Sequence, residues 1–99
     1  MARRLAWGDA QSLAGGTIEF FPDESGVPVA LRVIDVRMRS STPQMLQYRM
    51  LFRGPAMPLY GQRTYLFRHA SLGDYAFFIT PVRAAADGAE YEACFAHAP

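Results

Sequence analysis

The groups in this chain best suited to chemistry are one thiol, Cys94, and two imidazoles, His69 and His97. A thiolate nucleophile needs a base to take its proton and a third group to orient that base, so Cys94, His69 and an aspartate such as Asp74 would be the set to assemble. No local spacing marks such a triad, and Cys94 reads as a packed small residue on the less buried side of its strand or in a subunit contact. His69 shares strand parity with Tyr65 and Phe67. That predicts an imidazole at the edge of the core, hydrogen-bonded to a backbone carbonyl or a nearby side chain. His97 lies near the end of the sequence and reads as solvated. One cysteine and two histidines without a C-x-x-C pair supply no zinc ligand set, so neither a metal nor a cofactor is expected. Glu90 and Glu92 fall on an outward face rather than forming a catalytic carboxylate pair, and Gly15 and Gly16 lack the further glycines of a phosphate loop.

Arginine is the other reactive resource. All ten basic residues are arginine, against nine acidic ones, for a net charge of +1. Arg49, Arg53, Arg63 and Arg68 cluster around the central strand patterns with tyrosines nearby, an arrangement like the groove of a single-strand-binding barrel. A near-neutral chain lacks the basic excess that backbone phosphates demand, so these arginines read as a solvated outer face and nucleic acid is not expected as a partner. Arg53 stands apart because it opens an Arg-Gly-Pro turn, where a guanidinium can hold the loop by carbonyl bonds or present itself to a partner.

These side chains must be carried by a small apolar body. A chain of 99 residues with 51% hydrophobic and 13% aromatic residues can build one core but not two. That much apolar surface also predicts a permanent protein partner or a homo-oligomer. A single cysteine fits a reducing, cytoplasmic location, and no apolar run is long enough for a membrane helix or a signal peptide.

The elements follow from periodicity. Residues 5–14 read as a short helix with Leu5, Ala6, Trp7 and Leu13 available to face the body, stopped by Gly15 and Gly16. Alternation over 17–21 places Ile18 and Phe20 on one face, and Pro22 to Gly26 then turn the chain. Over 29–38 the apolar parity switches, from Val29, Leu31 and Val33 to Ile34, Val36 and Met38, which predicts a bulge or corner near Val33 and Ile34. Residues 45–53 alternate cleanly, with Leu46, Tyr48, Met50 and Phe52 inward. A strand over 62–69 places Tyr65 and Phe67 inward. The next, over 75–80, is apolar on both faces because Phe78 opposes Tyr75, Phe77 and Ile79, so it should be central or doubly covered. After Pro81 a loop is expected, then a tight turn at Asp87 and Gly88 and a last strand with Tyr91, Ala93 and Phe95 inward.

Six short strands without a helical crossover make an all-β fold: a six-stranded antiparallel small barrel or sandwich with a short N-terminal helix. The expected organisation is one domain over residues 1–99, with 1–15 as a helical lead and 16–97 as the β body. The run MLFRGPAMP over 50–58, then Gly61, Tyr65, His69, the Leu72-Gly73 pair, FFITPV over 77–82 and YEACF over 91–95 resembles a family of small bacterial domains of unknown function. Departures are small: Phe67 stands where an aliphatic residue is usual, and the 40–44 segment is short. Because members are often encoded near phage-tail-collar fibre proteins, the resemblance implies a role in assembling or decorating a fibre. It carries no catalytic residues.

The function expected from the residues is therefore a non-enzymatic structural or assembly module. Its partner-binding residues would be Trp7, Arg53, Met57, Leu59 and Tyr60, since exposed Met, Trp and Tyr are typical interface anchors. The alternatives are a small-ligand-binding β-barrel, disfavoured by so many bulky inward residues, and an enzyme centred on Cys94 and His69. A loop that instead folds back over an open barrel end remains the structural alternative for residues 57–60.

Overall fold

The structure is a computed structural model that describes residues 5–98. Helix α1 (Trp7–Leu13) is followed by β1 (Thr17–Phe21), β2 (Val29–Ser41), β3 (Leu46–Gly54), β4 (Arg63–His69), β5 (Gly73–Ala85) and β6 (Gly88–His97). The strands close an antiparallel barrel in the order β1-β2-β3-β6-β5-β4. Two meanders, β1-β2-β3 and β4-β5-β6, are joined by the 55–62 connection and meet along two seams, β1 on β4 and β3 on β6. The all-β expectation holds, and the ring is a barrel.

β2 and β5 are each 13 residues long, and each serves two neighbours in succession. β2 pairs β1 through Val29 to Arg32 and β3 from Arg32 onward; β5 pairs β4 as far as Ile79 and β6 from Thr80 onward. A register irregularity marks each bend, between Val33 and Asp35 in β2 and between Pro81 and Arg83 in β5. The parity switch near Val33 is thus a bulge: Ile34 is the extra, exposed residue, and Val36 and Met38 return to the core side. The expected loop after Pro81 is corrected, because β5 continues through it to Ala85. Proline lacks an N–H, yet at a bulge the ladder is already interrupted, so nothing further is lost there.

Alternation fills the interior. Phe20, Tyr48, Phe52, Phe67, Tyr75, Phe77 and Tyr91 are all essentially buried, and each such side chain stabilises by roughly 1.5–3 kcal/mol. Their rings interlock, Phe67 against Phe77 at 4.7 Å and against Phe20 and Phe52 at 5.5 Å each. The small-ligand reading therefore meets an interior occupied by rings. Helix α1 is shorter than expected and buries Ala10 and Leu13 against the barrel, with Leu5 buried just before it and Ala6 exposed. Gly15, at φ +82°, ends the helical lead, and its N–H donates to the Val33 carbonyl.

Candidate functional site

The register puts the 22–28 connection, the 55–62 connection and the 86–87 turn at one end of the barrel, since Phe20 faces Val29, Arg32 faces Arg53 and Gly54 faces Ala89. Four of the five expected partner-binding residues, Arg53, Met57, Leu59 and Tyr60, lie at this end. Trp7 does not, and its grouping with them is corrected: its ring packs on Tyr48 at 5.1 Å. Tyr48 lies six residues along β3 from Gly54, roughly 20 Å away at ~3.3 Å per residue. Residue spacing in sequence carries no information about which end a helix reaches.

The 55–62 connection combines both roles weighed from the sequence. Tyr60 closes the barrel end, edge-on to Phe20 at 5.0 Å. Its backbone N–H donates to Tyr91 Oη at 3.0 Å, while Tyr65 Oη donates to the Gly61 carbonyl at 2.7 Å. Burial pushes both the Tyr60 and Tyr65 phenols up, and the neutral Tyr65 hydroxyl is the donor to Gly61. With Tyr60 turned inward, Met57 and Leu59 project outward, 79% and 47% exposed. Val27 of the adjacent 22–28 connection is also exposed.

Arg53 fixes the flank of this end. Its Nη2 donates to the Asp87 carboxylate at 2.7 Å and to the Asp87 carbonyl at 3.1 Å, tying β3 to the β5-β6 turn. The guanidinium holds the Asp87 carboxyl below the usual carboxylate range through that hydrogen bond and its charge. Gly88 makes room for it, and Gly54 makes room for the core side chain Leu31. Gly88 has φ +152°, and a Cβ there would lie 3.0 Å from Arg53 Nε, while a Cβ on Gly54 would lie 2.5 Å from a Leu31 methyl. The glycine of the Arg-Gly-Pro turn is thus explained by packing, and Arg53 holds the 86–87 turn rather than its own adjacent loop.

The remaining reactive residues do not converge on one site. His69 Nδ1 accepts from the backbone N–H groups of Ser71 and Leu72, holding the β4-β5 turn; the expected carbonyl partner is replaced by two amides. Asp74 is engaged by Arg68 through two hydrogen bonds of 2.7 and 3.0 Å. Cys94 is exposed on β6, its thiol donating to Glu92 Oε1 at 3.5 Å. Desolvation and the neighbouring Glu92 carboxylate push that thiol up, the opposite of what an activated nucleophile requires. His69 and Asp74 lie in the same β4-β5 hairpin but in different bonds, while Cys94 lies on β6 opposite Arg49, so the three do not form a triad. His97 is half-buried, its ring edge-on to Tyr48 at 5.7 Å.

The arginines that resembled a nucleic-acid groove are likewise engaged, for three of the four. Arg49 binds Glu92 at 2.9 Å, Arg53 binds Asp87, and Arg68 binds Asp74. Arg63 lies over the Tyr65 ring at 5.1 Å instead. Carboxylates one strand away neutralise the basic face, a pairing that net charge reports only as a sum.

Residues 5–95 match the family described as a domain of unknown function, DUF6916. The chain belongs to that family. No curated protein and no solved structure matches it. The match spans both meanders and α1, so the Arg-Gly-Pro turn and the tyrosines that hold the 55–62 connection fall inside the DUF6916 region. Among the described residues, no helix is long and apolar enough to cross a membrane.

Proposed function

We propose that this DUF6916 domain is a non-enzymatic assembly module of the bacterial cytoplasm that docks a partner protein at the barrel end built from residues 55–62, the partner being a phage-tail-like fibre component. One observation carries the reading: Met57 and Leu59 are held outward on a connection anchored by the Tyr91 and Tyr65 hydroxyls. A flexible thioether and a leucine displayed on a fixed base offer apolar contact area with little ordering cost on binding. The choice of a fibre component rests on the gene neighbourhood that the family resemblance implies. The separation of Cys94 from the His69 hairpin and the engagement of Asp74 by Arg68 favour this reading over a Cys/His enzyme, and the ring-filled interior favours it over a small-ligand barrel.

The test is co-purification of tagged protein with a neighbouring fibre-gene product co-expressed from the native operon. Wild type is expected to retain the fibre protein, and a Met57→Ser, Leu59→Ser double variant to lose it with an unchanged denaturation midpoint. Equal retention by both proteins, or none by either, overturns the proposal.

A further inference from the structure

Arg32 and Arg39 are the arginines of the β2 outer face that ion pairing leaves out. The wall formed by β2, β3, β6 and the end of β5 carries two closed groups of charges. In the first, Asp35 lies 3.5 Å from Arg37 and 3.7 Å from Arg49, and Glu92 lies 2.9 Å from Arg49. In the second, Asp87 lies 2.7 Å from Arg53 and 4.0 Å from Arg83, while Glu90 lies 3.8 Å from Arg53 and 3.4 Å from Arg83. Each group joins two arginines to two carboxylates, so each is neutral. Arg39 stands beside the first group and reaches the Cys94 thiol, 3.9 Å from its Nη1, but no carboxylate among the described residues. Arg32 stands beside the second, flanked across the ladder by Thr17 and Arg53, and has no hydrogen-bond or ion-pair partner among the described residues.

Each surplus cation borders a depression in the wall. Arg32 shares one with Gly15, Ile34 and Arg53, and Arg39 shares another with Arg37, Met38, Arg49 and Glu92. The two arginines lie roughly 20 Å apart along β2, at ~3.3 Å per residue with both bulges of that strand allowed for. Between them the outer face is apolar at Ile34, which is 38% exposed, and at the half-buried Leu51. Arg32 faces Arg53 and Arg37 faces Arg49, and like charges directly opposite repel, a cost that an incoming anion relieves. Beyond this wall the described residues carry five carboxylates against two arginines, so the wall is the side to which an acidic partner is steered.

From this arrangement we infer that the outer wall of β2 and β3 docks an extended acidic segment of a partner protein. One carboxylate of the segment pairs with Arg32 and a second, about six residues along, with Arg39, while an apolar side chain between them lies on Ile34 and Leu51. The spacing selects against nucleic acid. A strand charged at every nucleotide, ~3.4 Å apart, sets phosphates over Asp35 and Glu92, which lie at heights between the two arginines. A single small anion gains only one of the two. Exposed ion pairs contribute little singly, so binding is weak and reversible, and its selectivity lies in the spacing. The inference uses no residue of the 55–62 connection and is independent of the fibre-docking reading.

The probe is a blocked glycine-serine peptide carrying two aspartates about six residues apart and a leucine midway, titrated into the isotope-labelled full chain and followed by amide chemical shifts. Saturable shifts are expected along β2 and β3 on this wall, with affinity falling about fivefold or more between about 0.05 M and about 0.5 M salt. Arg32→Gln and Arg39→Gln should each weaken binding about threefold, and the double variant about tenfold, with an unchanged unfolding midpoint. A peptide with one aspartate should bind about threefold more weakly than the pair. Absence of saturable shifts, shifts centred off this wall, equal binding of the one-aspartate peptide or of acetate, or variants that bind as wild type overturns the inference. So does tighter binding of a single-stranded oligonucleotide. The Met57→Ser, Leu59→Ser variant should bind the peptide as wild type does; loss of binding there would place the contact at the barrel end and equally overturn it.

Discussion

The two ends of the barrel are closed by the same device and finished differently. At the α1 end, Tyr48 Oη donates to the Leu5 carbonyl, and Trp7 packs on the Tyr48 ring. At the other, Tyr91 Oη accepts from the Tyr60 N–H and Tyr65 Oη donates to the Gly61 carbonyl. In both cases a tyrosine whose ring belongs to the core uses its hydroxyl to hold a backbone segment over the opening, satisfying polar groups that burial would otherwise penalise. The α1 end hides what it brings, since Leu5, Ala10 and Leu13 are buried and Trp7 is half-buried. The 55–62 end hides Tyr60 by half and leaves Met57 and Leu59 outside. Closure alone needs only the first kind of finish; the second leaves exposed the pair on which the proposed docking rests.

Breaking the α1 end should have the largest effect. Tyr48→Ala removes a fully buried ring, the support of Trp7 and the anchor of Leu5, and should cost about 3–5 kcal/mol in a urea titration. The same phenol sharpens the contrast by pH. Burial pushes Tyr48 up to about 12 from an ordinary 10.0. An acid whose folded value is raised contributes stability that is complete below the unfolded value and is lost as pH rises through the folded one. Stability should therefore fall by ~2 kcal/mol between about pH 10 and pH 12, and more shallowly in Tyr48→Phe. At the other end Tyr91→Phe keeps the ring and deletes one acceptor. It should cost about 1 kcal/mol and speed amide exchange at Tyr60, leaving the helix amides unchanged. The smallest change in stability, within about 0.5 kcal/mol, is expected for Met57→Ser with Leu59→Ser, because Met57 is largely and Leu59 about half in solvent. A large loss of stability there would mean that the exposed pair serves closure and would erase the distinction between the ends.

Strand content was legible because burial alternates with period two, so Ile18, Phe20, Tyr48, Met50, Phe52, Tyr65, Phe67, Phe77 and Tyr91 could each be assigned to the core from parity alone. The bulge at Val33 was legible for the same reason, since an inserted residue inverts parity. Pro81 misled because a proline looks like a stop unless its lost hydrogen bond is known to fall at a bulge. The seams of β1 on β4 and β3 on β6 join segments far apart in sequence, and no local pattern names a strand's distant neighbour. Sequence spacing for the same reason does not place Trp7 at its end of the barrel or Asp87 beside Arg53. Phe78 is legible as an exposed aromatic, because its parity sets it opposite the buried Tyr75 and Phe77 of its strand.

The ring closure also governs how the chain reaches this state. β1 must wait for β4 and β3 for β6, so neither meander can complete its core before the other has been made. Folding is therefore dominated by contacts distant in sequence, which places it on the millisecond-to-second scale of all-β domains rather than the microsecond scale of helical ones. During that interval the strand carrying Phe78 is the most adhesive segment of the half-made barrel, so refolding yield should fall with protein concentration even where the finished domain is stable.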